Sequence, residues 1–287
     1  MSTESGTNVL LNVASLSMQV AKKYVEPYSH QNSPQKFTQA QLLTCLILRA
    51  YLKTTYRGVI EFLEVSESLR KAMGLKRLPH YSTLKKFADR SSVLEIIDAM
   101  LLEIVRQFAG ESPDEAAIDA TGMETTSASA HYRTRSGKQR QKYVKLSVCV
   151  MAGSLLPSSV VASWGPNNDK REAPELLAKA STVNCPKKLF ADAGYDAEWV
   201  HEFCRDEWNV ESIIKPAVHR SDGQHNGTYR SEMTEAKLKE KGYGRRWLVE
   251  SFMSALKRTT GSSLAARSER CLFVEAALRV LAYAIRR

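Results

Sequence analysis

From Leu146 to Trp164 the chain carries no charged side chain. An uncharged run of that length has two readings, a helix that crosses a membrane or a pair of buried strands. The residues decide between them. Gly153, Pro157 and five serines interrupt the run, and what remains is two segments rich in β-branched residues, LSVCVMA and SSVVASW, on either side of a turn. A buried hairpin at this point fixes the reading of its neighbours. AAIDATGM before it holds a short apolar run ending in an acid, and after it come APELLAKAS (helical), KKLFADAGYD (strand, then turn at Gly194), AEWVHEFCRDEW (helical) and VESIIKPAV (strand). Three strands followed by helix, strand, helix and strand make a layered α/β domain.

The part before this domain has a different period. QLLTCLILRAYL is apolar nearly all round and is expected to be a buried helix. Shorter helices are expected over Arg57–Glu64 and Ser66–Met73, the second stopping at Gly74. Ser82 is the expected N-cap of TLKKFADR, and VLEIIDAMLLEIVRQF has apolar residues at three- and four-residue spacing. Two helices are expected to close the chain, about Tyr243–Thr259 and Arg267–Arg287, after a polar loop over 217–242. The expected organisation is a tail over 1–35, an all-helical domain over 36–110 that could hold a helix-turn-helix, and an α/β domain over 111–287. The first residues show no basic segment ahead of an apolar one, so no signal peptide is expected. Five cysteines stand singly, without a Cys-x-x-Cys pair, which argues against a zinc finger or a disulfide framework and for a reducing compartment. The six histidines show no metal-ligand spacing.

Charge points to the partner. With 41 Lys and Arg against 31 Asp and Glu, the net charge is +10, and a polyanion is the first partner to consider. The excess is not uniform. From Thr125 to Asn168 there is no acid at all, and within that stretch HYRTRSGKQRQKYVK carries Arg133, Arg135, Lys138, Arg140, Lys142 and Lys145. This basic segment is expected to hold a phosphate backbone.

Three acids stand in unusual settings. Asp119 and Asp192 each follow an apolar run and are expected at strand ends, where open sheets gather ligands at one rim. Taken alone, both are more simply turn caps. Glu250 lies in YGRRWLVESFMSALKR. At 100° per residue, Tyr243, Arg246, Glu250 and Lys257 fall in one narrow stripe, while Leu248, Val249, Phe252, Met253 and Leu256 occupy another arc.

Tyr243-x2-Arg246-x3-Glu250-x6-Lys257 matches, in residue type and spacing, the YREK signature of bacterial insertion-sequence transposases with a DDE catalytic triad. IDATG resembles the first-Asp block of that family, ADAGYD the second, and YSTLKKF its N-terminal segment. The resemblance implies a ribonuclease-H-like mixed sheet flanked by helices, in which Asp119, Asp192 and Glu250 are the catalytic acids and hold two Mg²⁺ ions, with Mn²⁺ able to substitute. It implies double-stranded DNA as the partner, both at transposon terminal inverted repeats and as target, with Tyr243, Arg246 and Lys257 on the backbone. A homodimer is expected, since two ends must be synapsed, in nucleoid-associated cytoplasm. Many relatives carry His-Asp after the third strand where this chain has Asn168-Asp169; Asp169 is read as preceding the next helix and is left outside the triad. The 58 positions from Asp192 to Glu250 leave no room for the large β-rich insertion of some hairpin-forming relatives. In the helical domain, Lys85 and Lys86 with Ser82, Thr83 and Arg90 would face DNA if residues 54–90 form a helix-turn-helix; packing is the equal alternative. Trp247 reads as a packing residue or as a stacking surface for a base. Two other functions remain: a domesticated or inactive DNA-binding derivative, and a nuclease of the same fold without strand transfer.

Overall fold

Helix formation begins at Asn8, whose side chain accepts the N–H groups of Leu10 and Leu11 and so caps α1 (Val9–Tyr24). The computed structural model describes residues 8–32, 34–108, 114–125, 142–217 and 225–287. The expected tail is therefore in large part a helix. Val13, Ala14, Ser17, Met18, Val20 and Ala21 are buried along it, at the spacing of one helix face.

Helix α2 (Gln39–Tyr51) starts at a capping box, Thr38 and Gln41 each bonding the other's backbone N–H. It is buried over ten of its thirteen residues, as its all-round apolarity required. Next come α3 (Tyr56–Val65), α4 (Glu67–Ala72) and α5 (Tyr81–Ala88). Gly74 ends the α4 segment with a left-handed φ of 62°. The cap of α5 is His80 rather than Ser82: the ring Nδ1 accepts the Ser82 N–H at 3.4 Å, so the helix starts before the expected cap. Helix α6 (Val93–Phe108) follows.

The chain divides into two compact units, one of residues 1–104 with 258–287, the other of residues 105–257. The last helix of the expected α/β domain thus belongs with the helical part. Its reason is chemical. That helix is buried on nearly every side, and its Glu275 pairs with Arg49 of α2 at 2.9 Å, both side chains under 5% exposed. Glu275 also accepts the Ala265 and Ala266 N–H groups and pairs with Arg279.

In the second unit, β1 (Glu115–Met123), β2 (Tyr143–Met151) and β3 (Pro157–Gly165) form an antiparallel meander. After α7 (Ala173–Ser181), β4 (Lys188–Ala191) returns parallel to β1 on its free side. Helix α8 (Glu198–Glu202) continues as a wide turn over Phe203–Glu207, and β5 (Glu211–Ile214) adds parallel to β4. The order is β3-β2-β1-β4-β5, the mixed five-stranded sheet expected for a ribonuclease-H-like domain. One sheet face is covered by Leu176, Leu177, Ala180, Val200 and Cys204 of the helices, packed on Ala116, Ile118, Cys149, Leu189 and Ile214. The expected polar loop before the signature contains two short helices, α9 (Thr228–Glu232) and α10 (Glu235–Glu240). A 3₁₀ turn over Tyr243–Arg246 then leads into α11 (Trp247–Thr260), and α12 (Glu269–Arg286) is the buried last helix. Among the described residues no helix is long and apolar enough to cross a membrane.

Candidate active site

Asp119 is not at a strand end. β1 runs on to Met123, because its antiparallel ladder with β2 continues past Asp119, which faces Val148. What ends near Asp119 is the parallel ladder: Ala116 pairs with Leu189 and Ala117 with Phe190. Carrying that register on sets Asp119 level with Asp192, the first residue after β4. The two acids thus flank the point where β4 leaves β1. With side chains alternating along a strand, Glu115, Ala117 and Asp119 face away from the layer that covers Ala116 and Ile118.

Asp192 does cap a turn. Its Oδ1 accepts the Gly194 N–H at 2.9 Å and holds the 3₁₀ turn Ala193–Tyr195. Asp119 Oδ1 accepts its neighbour's N–H, from Ala120, at 2.7 Å. Burial pushes the Asp119 carboxyl up to about 6; the Asp192 and Asp169 charges add to this, while the Ala120 N–H and Arg246 oppose it. Asp192 is raised as well, by burial first and then by the charge of Asp169. Burial and neighbouring acid charge make both carboxylates harder to ionise, as in a site short of positive charge.

The segment before α11 brings cations to this face. Lys241 pairs with Glu211 of β5, Arg245 with Glu115, and Arg246 Nη1 donates to Asp119 Oδ2 at 3.2 Å. Lys188 of β4 reaches the Lys241 carbonyl at 3.4 Å. Residues 241–250 therefore strap across β5, β4 and β1 on the face that carries Asp119. Arg246 Nη2 also donates to Glu250 Oε1, one helical turn along. The 3₁₀ start does not disturb the stripe, since residues three apart eclipse in that geometry and Tyr243 stays over Arg246. Tyr243 is held in its phenol form by burial and by the nearby Asp192 and Asp119 charges, against Arg246. Lys257 is partly buried on α11, seven residues beyond Glu250, or about 10 Å along the axis. Trp247 is 56% exposed beside this row.

The acid that the sequence reading left outside the triad, Asp169, lies near Asp192. Asn168 caps the turn Asp169–Arg171 by accepting the Lys170 N–H, which leaves Asp169 free of that role. Asp169 Oδ1 pairs with Lys145 at 2.7 Å, and Lys145 also meets Glu172 Oε2 at 2.9 Å and the Asn167 carbonyl at 3.2 Å. Lys145 is 3% exposed. Its placement corrects the expectation that it faces DNA: an ammonium with three acceptors inside the fold has no donor left for a phosphate. The signal available in the sequence was that Asp169 is the first acid after the acid-free stretch. Lys142, in contrast, is exposed near the Trp164 ring. Arg133, Arg135, Lys138 and Arg140 lie outside the described residues. Lys85 and Lys86 are exposed on α5 of the helical unit, Lys85 in a 2.8 Å pair with Asp89.

Among the described residues, no three acidic, histidine or cysteine side chains stand close enough together to hold one metal ion. Like charges repel, and each acid turns to its nearest cation: Asp119 and Glu250 to Arg246, Asp169 to Lys145. The donors nevertheless suit a hard divalent ion, which prefers carboxylate oxygen. Asp119 and Asp192 share an excess of negative charge that a cation would relieve, and one guanidinium already bridges Asp119 and Glu250 as such a counter-charge.

No curated protein matches the chain. In fold it is similar to a piggyBac transposase in a synaptic complex with hairpin DNA, at a TM-score of 0.46 and 9% identity over 97% of this chain and 72% of that one. Residues 110–285, which hold Asp119, Asp169, Asp192 and Glu250, match the family described as the transposase DDE domain, and the chain belongs to that family.

Proposed function

We propose that this chain is a metal-dependent DNA transposase that cuts at transposon ends and joins the freed 3′-OH to target DNA. The observation that carries the reading is the register of Asp119 with Asp192 beneath a Tyr243–Arg246–Glu250 strap. Asp119, Asp192 and Glu250 would hold two divalent cations, Mg²⁺ or Mn²⁺, which when bound supply activation of an attacking oxygen and stabilisation of a leaving one. The rest falls to the protein. Arg246 keeps the acids neutralised and turns toward a phosphate as DNA enters. Tyr243 and Lys257 position the backbone, and the basic segment with Arg133, Arg135, Lys138, Arg140 and Lys142 holds the duplex beside the acids. Lys85 and Lys86 of α5 add phosphate contacts. Water first cleaves one P–O bond and leaves a 3′-OH. That hydroxyl then forms one P–O bond to target DNA as another breaks, so the number of phosphodiesters is conserved and no nucleotide triphosphate is needed. Two chains synapse two ends, in the nucleoid.

The test uses duplexes carrying the inverted repeats that flank the gene, with Mg²⁺ or Mn²⁺, and scores nicked and joined products separately. Asp119→Asn and Glu250→Gln are each expected to lose at least about a thousandfold in both products (roughly 4 kcal/mol of barrier) while still shifting DNA in a gel. Either variant retaining strand transfer sinks the assignment. Nicking without joining in the unaltered protein would make it a nuclease instead, and DNA binding with neither product a non-catalytic derivative.

A further inference from the structure

Five carboxylates, Asp119, Asp169, Glu172, Asp192 and Glu250, share two cations in this site, Lys145 and Arg246. The way Lys145 is spent matters. Its three N–H groups meet three acceptors, and Glu172 is tied down on its other side by Asn167 Nδ2 at 2.6 Å. This buried knot fixes one oxygen of Asp169. The other, Oδ2, lies over Gly194. A Cβ on residue 194 would stand 2.4 Å from Asp169 Oδ2 and 3.0 Å from Asp192 Oδ1. Two carboxylate oxygens thus converge on one backbone position, and they fit only because residue 194 has no side chain. The Tyr195 hydroxyl, fully buried and without a well-formed hydrogen bond, lies among the same charges.

We infer that Asp169 is a fourth acid of the metal-holding set, placed beside Asp192, and that Lys145 is its positioning residue. Lys145 takes Oδ1 so that Oδ2 stays turned toward Asp192, and Gly194 leaves the space. The inference rests on the metal-dependent reading above and extends it to residues outside the triad.

The experiment titrates Mn²⁺ into the full chain without DNA, reading the loss of the free-ion electron paramagnetic resonance signal, with thermal melts to confirm folding. Asp169→Asn keeps the shape and loses the charge, and it is expected to raise the half-saturating Mn²⁺ concentration roughly ten- to a hundredfold. Gly194→Ala changes no charge but displaces Oδ2, and it is expected to shift the midpoint in the same direction. Lys145→Met is combined with Glu172→Gln, so that no bare charge is left buried. This pair is expected to weaken Mn²⁺ binding as far as Asp169→Asn does, with no further loss when all three changes are joined. A merely structural role for Lys145 would give additive losses instead. An Asp169→Asn protein with an unaltered Mn²⁺ midpoint overturns the inference, and so does additivity. If Asp119→Asn abolishes Mn²⁺ binding while Asp169→Asn leaves it unchanged, the metal-dependent reading stands and only the fourth acid falls. If the unaltered protein takes up no Mn²⁺, both fall together.

Discussion

Asp119 shows what a buried carboxyl costs a fold. Its carboxyl is raised from 3.8 to about 6, chiefly by burial. Between those two values the folded chain holds a proton that the unfolded chain has released, so stability falls as pH rises through that window. Above it the full penalty applies; below about 3.8 it is gone. Asp119→Asn is therefore expected to stabilise the protein at pH 8 by roughly 1–3 kcal/mol, when measured by denaturant unfolding in chelator, and to give no gain below the window. An equal or lower midpoint for the variant at pH 8 would show that the charge is not under strain. Asp119 was legible in the sequence as an acid after an apolar run. Its burial and its proximity to Asp192 were not, because both come from a pairing between segments seventy residues apart.

At the scale of elements, the important object is the strap over residues 241–250. Its three basic residues pair with acids on the two strands that flank β4, and Arg246 joins β1 to α11. The heptad-like spacing of Tyr243, Arg246 and Glu250 was readable, and so was their shared face. Which sheet face they would meet was not, since nothing local to YGRRWLVE specifies Glu115 or Asp119. The strap predicts a coupling. In a double-mutant cycle, Arg246→Ala and Asp119→Asn are expected to interact by about 0.5–3 kcal/mol at pH 8. The coupling should vanish near pH 4.5, where Asp119 of the folded protein is protonated. A pH-independent interaction energy would mean that the contact is steric packing rather than charge.

For the molecule as a whole, one unit is a continuous stretch of chain inserted between the two stretches of the other, and each holds a buried polar knot. In the helical unit the knot is Arg49, Glu275 and Arg279, all nearly inaccessible. Removing one member strands the others, and Glu275→Ala is expected to cost about 3–5 kcal/mol, visible as a lowered unfolding midpoint followed by circular dichroism. A change under about 1 kcal/mol would mean the arginines find water on their own. Lys145 with Asp169 and Glu172 plays the corresponding part in the α/β unit. A buried charge pair gives no sign of itself in sequence: Arg49 and Lys145 read as one more helix residue and one more basic-segment residue.

The sequence by itself determined the succession of strands and helices from β1 to β5, the buried hairpin at Leu146–Trp164 and the Tyr-Arg-Glu-Lys row, because each depends on side-chain periods over a few neighbouring residues. It determined the family by the same local spacings. Only the tertiary structure decided that α12 belongs with the helices, that Lys145 is buried and that Asp169 stands beside Asp192. Those facts follow from long-range register and from the cost of an unpaired charge away from water, and both are settled only when distant segments meet.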